Sequence, residues 1–279
     1  MWDGEQMTPG EQPTPDSSST TDKTAPPASR MDGAAIALGF LTRLGPARVF
    51  SPGALARSIV WFPFVGLVVG AICTAAVYGL EILAAGAPLG ARATAGAVLY
   101  VALAAWLTRG LHWDGLADVA DAWGSGARGE RFWEIMKDSR SGAFAVFGLV
   151  LVGGGQLLLV REVISLGGWG ALVFAPIAGR AACVCLAWAG RTLGRPGLGQ
   201  MLLAGATPLI TIFCVLQAKV VGLMLIRWEA YVLSFILGLV VVGGLARLGK
   251  RNGAMNGDLM GASIVCMETV VFFSVCVFA

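Results

Sequence analysis

Residues 58–85 read SIVWFPFVGLVVGAICTAAVYGLEILAA. As a helix the run is long enough to cross a hydrocarbon core of about 30 Å. Pro63, Gly66 and Gly70 lie inside it, a softened helix of the kind tolerated where neighbouring helices satisfy the freed backbone groups. Outward from this run, further apolar stretches at roughly 93–108, 143–160, 169–190, 201–218, 229–246 and 258–278 bring the expected spans to seven. Hydrophobic residues fill 56% of 279 positions and charged residues only 13%, a balance that belongs with polytopic membrane proteins rather than soluble domains. The expected fold class is all-α, a polytopic integral membrane helix bundle.

On the N-terminal side, Asp32 to Arg57 read DGAAIALGFLTRLGPARVFSPGALAR, and the apolar stretch before Arg43 is too short to span. A re-entrant or interfacial helix is expected there. Residues 1–30 are mostly Pro, Ser, Thr, Asp and Gly, too poor in apolar side chains to offset chain entropy. A disordered tail is therefore expected ahead of a membrane-embedded domain over 31–279. The tail lacks a basic start followed by an apolar core, so it is not read as a secretory signal.

Loop charge sets the expected orientation. With the N-terminus inside, fifteen Lys and Arg residues fall on the cytoplasmic side, while only Arg92, Arg161, Lys219 and Arg227 fall on the other. This implies a multi-pass protein of the cytoplasmic (inner) membrane with the 109–141 connection facing the cytoplasm. A net charge of +3 without any basic run argues against nucleic acid as a partner. The six cysteines sit inside apolar segments with no CxxC spacing and read as small hydrophobes.

The connection 109–126, RGLHWDGLADVADAWGSG, places Asp114, Asp118 and Asp121 at i, i+4 and i+7, on one narrow arc of a helix. Carboxylates so arranged repel one another unless a cation lies between them. Oxygen donors suit Mg²⁺, Mn²⁺ or Ca²⁺ better than zinc; a solvated acidic face is the alternative. His112, the sole histidine, stands two residues before Asp114. Next comes RGERFWEIMKDSRSG from Arg128 to Gly142, in which Glu130, Glu134 and Asp138 repeat at i+4 with Arg131 and Lys137 interleaved. For Glu130 and Glu134 this pattern reads as an amphipathic helix with ordinary surface ion pairs. Lys137, Asp138, Ser139 and Arg140 form a tighter polar cluster at the membrane edge. Cations beside an acidic, metal-ready face are what a substrate with adjoining phosphates requires.

A second polar group opens the last span, RNGAMNGDLMGASIVCMET, where Asp258 follows Gly253 and Gly257. Gly-rich turns let backbone N–H groups approach a phosphate, and a carboxylate there can complete a metal site. Glu268 lies about 15 Å deeper if the segment is helical. Arg180 is also near mid-membrane, so the two make a natural pair, either structural or in contact with substrate.

GFLTRLGP and SIVWFPFVGLVVGAI near the start, LHWDGLADVADAWGSG, EIMKDSRSGAFAVFGLV, and NGDLMGASIVCMETV at the end together resemble the cobalamin synthase family, the membrane enzymes also called adenosylcobinamide-GDP ribazoletransferases. The likeness runs over about residues 34–279, with the APIAGR segment at 175–180 in support. It implies transfer of the adenosylcobinamide-phosphate moiety from adenosylcobinamide-GDP to α-ribazole or its 5′-phosphate, with release of GMP and with Mg²⁺ (or Mn²⁺) as cofactor. With that reading Asp114, Asp118, Asp121 and, from its position two residues before Asp114, His112 are the catalytic candidates. Asp114, Asp118, Asp121 and Asp258 are the metal-ligand candidates. Lys137, Asp138, Ser139, Arg140, Arg180, Asn256 and Glu268 are the substrate-binding candidates. A homo-oligomer, or a complex with other corrinoid enzymes, is the partner expectation beyond substrates and bilayer. Two positions depart from the family pattern: Asn256-Gly257-Asp258 replaces Thr-Gly-Asp, and Val265 occupies an acidic position before Glu268.

Two other kinds of membrane protein share part of this pattern. A CDP-alcohol phosphotransferase also spaces aspartates on membrane helices, but Leu116-Ala117-Asp118 after the DG departs from its pattern. A cation-coupled transporter would build a midplane site from Arg180, Glu268 and Asp258. Against it stands the placement of the acidic arc in a connection between spans.

Overall fold

The apolar runs fold into helices whose ends are set by Pro, Gly and side-chain caps. In a computed structural model, which describes residues 30–45, 52–195 and 197–279, α1 (Arg30–Leu41) and α2 (Pro52–Ser58) precede one turn of 3-10 helix at Ile59–Trp61 and then α3 (Phe62–Leu83). Next come α4 (Leu89–Leu107), α5 (Leu111–Gly124), α6 (Glu130–Met136) and α7 (Ala143–Ser165). The chain ends with α8 (Trp169–Ala189), α9 (Leu198–Gly205), α10 (Pro208–Leu225), α11 (Trp228–Arg251) and α12 (Gly257–Val277). Among the described residues seven helices are long and apolar enough to cross a membrane: α2 continued through α3, then α4, α7, α8, α10, α11 and α12. The protein is thus a polytopic membrane helix bundle; the tail expected ahead of Arg30 lies outside the described residues.

Two expected boundaries shift. The first span starts earlier than Ser58, running Gly53–Leu83, and Pro63 lies inside it as expected, in the first turn of α3, where its missing N–H would have had no partner anyway. The fifth span is not 201–218 but α10. Thr207 caps α10 by accepting from the Ile210 N–H, and Pro208 starts it. The preceding apolar turns become α9, which docks on α2 so closely that a Cβ at Gly205 would lie 2.0 Å from the Ala56 carbonyl oxygen. Lys219 consequently falls within a span instead of at its end.

The bundle is organised around α8, of which 83% of the central window is buried. A helix apolar all round belongs in such a place. Gly66 and Gly70 of α3 press on it: their Cβ atoms would meet the Pro176 and Val173 carbonyl oxygens at 2.4 and 2.6 Å. Pro176 sits inside α8 and deprives the Leu172 carbonyl of its helical donor. The Tyr100 hydroxyl of α4 donates to that carbonyl instead, at 2.6 Å. Helix α7, only 17% buried, turns Leu, Val and Phe side chains toward lipid, yet Gln156 donates to Val265 O and Thr269 Oγ1 of α12 at 3.2 and 3.0 Å. Val265 is buried in that wall. All six cysteines are free, as their spacing implied.

At one end of the bundle the connections interlock. Gly129 N–H donates to Asn252 Oδ1 at 2.9 Å, Trp133 Nε1 donates to Asn252 O at 2.7 Å, and Met255 N–H donates to Leu193 O at 2.7 Å. The 109–142 connection, residues 190–195 and the 252–256 turn therefore form one polar cap. Helix α1, roughly 18 Å long, ends in the same cap. Arg43 Nε donates to Trp106 O at 2.7 Å and the Arg109 guanidinium donates to Gly39 O at 2.8 Å and to Thr42 O, so each arginine satisfies carbonyls at the end of the other's helix.

Candidate active site

Arg109 and Gly110 both adopt left-handed backbone, φ 57° and 69°, and this turn redirects the chain from α4 into α5. Helix α5 buries His112, Gly115, Leu116, Val119 and Ala122. Asp114, Asp118 and Asp121 occupy the neighbouring arc that the sequence spacing defines. Small residues bring α5 onto α12: a Cβ at Gly115 would lie 2.7 Å from the Asp258 carbonyl oxygen, and one at Gly261 would lie 3.3 Å from His112 Cα. This contact sets Asp258 against the acidic arc.

The aspartates then differ in surroundings. Asp114 is exposed and Asp118 half-buried. Burial, followed by the charges of Asp258, Asp114 and Asp121, pushes the Asp118 carboxyl up from 3.8 to about 7. Asp121 instead accepts the Gly142 N–H at Oδ2 and the Ala145 N–H at Oδ1, 2.5 and 2.8 Å, and so caps the N-terminus of α7. Among the described residues no Lys or Arg nitrogen lies within 4 Å of any of these four carboxylates. Uncompensated carboxylates of this kind fit a hard divalent cation. Among the described residues no three His, Cys, Asp or Glu side chains already surround one point.

Asn256 caps α12, its Oδ1 accepting the Leu259 N–H at 3.1 Å while its Nδ2 donates to Asp258 Oδ2 at 2.6 Å. The departure from Thr at this position thus keeps the helix cap. Beside it opens a cavity of about 390 Å³ lined by His112, Lys137, Arg195, Asn256 and Asp258 over an apolar floor that includes Phe40, Phe62 and Ile264. His112 is 5% exposed, and its Nε2 has no hydrogen-bond partner. Burial, then the Arg180 charge, holds its pKa well below the usual histidine value, so the ring is neutral.

Helix α6 ends at Met136, so Asp138 is not on it. Asp138 Oδ1 accepts from Arg140 N and Nε, both at 3.0 Å, and Oδ2 accepts from Arg140 Nη2 at 2.8 Å, which pulls the carboxyl down to about 2. Asp138, Ser139 and Arg140 stay on the exposed rim, and only Lys137 of that cluster reaches the cavity wall. Glu134 pairs with Arg131 as helical spacing suggests, whereas Glu130 reaches across to Arg195 at 2.6 Å. Arg180 and Glu268 are paired deep in the bundle, with Arg180 1% exposed. Arg180 Nη1 donates both to Glu268 and to Pro176 O, while its Nε is buried without a partner.

Arg195, Trp133 and Gly199 are site residues that sequence reading passed over. Arg195 counted only as loop charge, although a basic residue in RPGLG carries the signal of a glycine-rich turn. In the structure its guanidinium lies 4.9 Å over the Trp133 ring. Gly199 allows α9 to abut α12, since its Cβ would come 2.7 Å from the Gly257 nitrogen.

The family model for cobalamin-5-phosphate synthase matches residues 33–276. An adenosylcobinamide-GDP ribazoletransferase of Nitratidesulfovibrio vulgaris, strain Miyazaki F, is 44% identical over 238 residues, 85% of this chain and 92% of the relative. Another relative of that name, from Pseudomonas entomophila, is 38% identical over 242 residues, 85% of this chain and 95% of its own. No solved structure matches significantly. With nearly the whole described bundle inside the match, the chain belongs to the cobalamin-5-phosphate synthase family.

Proposed function

We propose that this membrane protein joins adenosylcobinamide-GDP to α-ribazole or its 5′-phosphate, giving adenosylcobalamin or its 5′-phosphate and GMP. The observation that carries the reading is the α5–α12 junction, which packs the helix of the acidic arc against the backbone of Asp258, a residue that lines a cavity with His112, Lys137 and Arg195. A carboxylate that suits a cation and positive groups that suit a phosphate thus line one cavity.

In the proposed reaction a ribose hydroxyl oxygen bonds to the phosphorus nearer the corrinoid. The bond from that phosphorus to the bridging oxygen breaks, and its electron pair leaves with GMP. Neutral His112, a cavity-lining residue whose buried Nε2 has no hydrogen-bond partner, is the group assigned to accept the hydroxyl proton. Asn256 and Lys137 orient phosphate oxygens, and Arg180 with Glu268 keeps α8 and α12 in register beneath. Asp114, Asp118 and Asp258 would hold Mg²⁺ or Mn²⁺, with Asp121 adjoining; when bound, the ion supplies charge neutralisation to the diphosphate. Charge bias supports an inner-membrane location with this cap facing the cytoplasm.

The test is GMP release by purified protein given adenosylcobinamide-GDP, α-ribazole and Mg²⁺. Uptake of solute by sealed vesicles without GMP release would favour the transporter reading instead.

A further inference from the structure

We propose that the slot between α8, α10 and α11 is a binding site for one anionic phospholipid, with Lys219 on its headgroup phosphate and an acyl chain laid along α8. Helices α10 and α11 are joined only by Ile226 and Arg227, yet they make little direct contact and each packs on α8 instead. They are wedged at the turn end, where a Cβ at Gly222 would lie 2.7 Å from Phe174 Cζ and 2.8 Å from Tyr231 Cδ2. Beyond this wedge a slot of about 110 Å³ runs along α8 from Phe174 to Cys185, a length of about 16 Å.

Charge selects the headgroup. Of the basic residues toward the end away from the cap, Arg92 has Glu81 at 3.5 Å, Arg161 has Glu162 at 3.8 Å and Arg227 has Glu229 at 3.2 Å. Lys219 has no carboxylate oxygen within 4 Å among the described residues. It lies inside a span, is exposed, and lines the slot. A cation in the hydrocarbon region is costly unless it pairs or reaches the interface. Helix α10 ends at Leu225, about 9 Å further along its axis, and a lysine stem covers much of that distance. Exposed Trp228 marks the headgroup level at the same end. The anion that Lys219 meets there is the phosphate of a lipid in the leaflet opposite the cap.

Shape selects the acyl chain. Ala178, Ala181 and Ala182 of α8, with Ala218 of α10 and Gly238 of α11, form a floor whose side chains are too short to close the gap. Phe235 and Leu239, both exposed, make an open lateral edge within a span, so the slot faces the bilayer rather than water. Ser234, the polar residue midway along, spends its hydroxyl on Tyr231 O at 2.8 Å. Another helix, about 10 Å across, is too wide for the slot, whereas a single hydrocarbon chain fits. Such a chain gives α10 and α11 the packing that they do not give each other.

Native mass spectrometry of the full-length protein, taken from vesicles of equal phosphatidylglycerol and phosphatidylcholine, tests the site. The last lipid kept as collision energy rises should be phosphatidylglycerol over phosphatidylcholine by about fivefold, the scale of one lysine near an anionic headgroup. Lys219→Arg should keep that ratio, and Lys219→Gln should bring it near one. Arg251→Gln, in the cap, should leave it unchanged. Leu239→Trp, which covers the open edge from an exposed position, should reduce retention of both lipids. An unchanged ratio in Lys219→Gln would overturn the headgroup assignment, the lysine then reaching the interface without holding a lipid. Full retention in both Leu239→Trp and Val242→Trp would overturn the slot. A lipid-free dimer that Leu239→Trp splits would overturn the lipid and put a second copy of the chain in its place.

Discussion

Gly115 of α5 lies directly against the backbone of Asp258 in α12, where a Cβ would come within 2.7 Å of the Asp258 carbonyl oxygen. That carbonyl is main chain and cannot swing away, so any side chain at 115 must push the two helices apart. Gly115→Val should therefore cut GMP release by about a hundredfold, the effect of misplacing reacting groups by about 1 Å. Folded protein recovered in detergent at wild-type yield, with a wild-type rate, would show that this contact does not position the site.

Asp118 and Asp121 are three residues apart on one arc but should fail differently. Asp118→Asn relieves repulsion from Asp258 and Asp114, so it should leave thermal stability unchanged or higher while GMP release falls by about a hundredfold. Asp121→Ala removes the cap of α7 and should lower stability by about 1 kcal/mol. Glu134→Gln, at an exposed helical pair, should alter neither. Thermal unfolding in detergent and GMP release at matched amounts of folded protein separate the three outcomes.

The Asp118 shift has a sign that can be measured. Its folded-state value, about 7, lies above the unfolded 3.8, so the folded protein keeps a proton that the unfolded chain has already lost. Metal-free stability should then fall as pH rises from 3.8 toward 7 and level off above that. Mg²⁺ should offset the loss, because it needs the ionised carboxylate. Asp118→Asn should flatten the profile. At limiting Mg²⁺ GMP release should weaken as pH drops below about 7, added Mg²⁺ should move that decline to lower pH, and release should cease in excess chelator after metal stripping. Full turnover after that treatment would remove the metal from the proposal.

Ser125 is exposed at the end of α5, in the cap that also holds the 252–256 turn. A single cysteine at this position, in a background freed of the six native ones, should label in inside-out vesicles and resist a membrane-impermeant reagent in intact cells. Ready labelling in intact cells would reverse the proposed orientation.

Bilayer thickness sets span length, and so hydropathy alone located most of the membrane helices. Helical periodicity likewise put Asp114, Asp118 and Asp121 on one arc, and the cost of buried charge paired Arg180 with Glu268. Hydropathy cannot distinguish lipid from protein as the surroundings of an apolar turn. For that reason 201–218 reads as a span although Leu198–Gly205 packs under α2 and the Thr207-Pro208 cap marks where the span begins.

Only the tertiary structure decided which aspartate does what. Asp121 becomes a cap because the α7 N-terminus, 21 residues on, arrives beside it, and Asp258 joins the arc because two glycines let α5 and α12 touch. Arg195 enters the site through Glu130, 65 residues away, a pairing no local spacing encodes. Sequence patterns report what each helix offers to its surroundings; which groups are used up in holding the fold, and which remain free for a ligand, depends on contacts between distant segments.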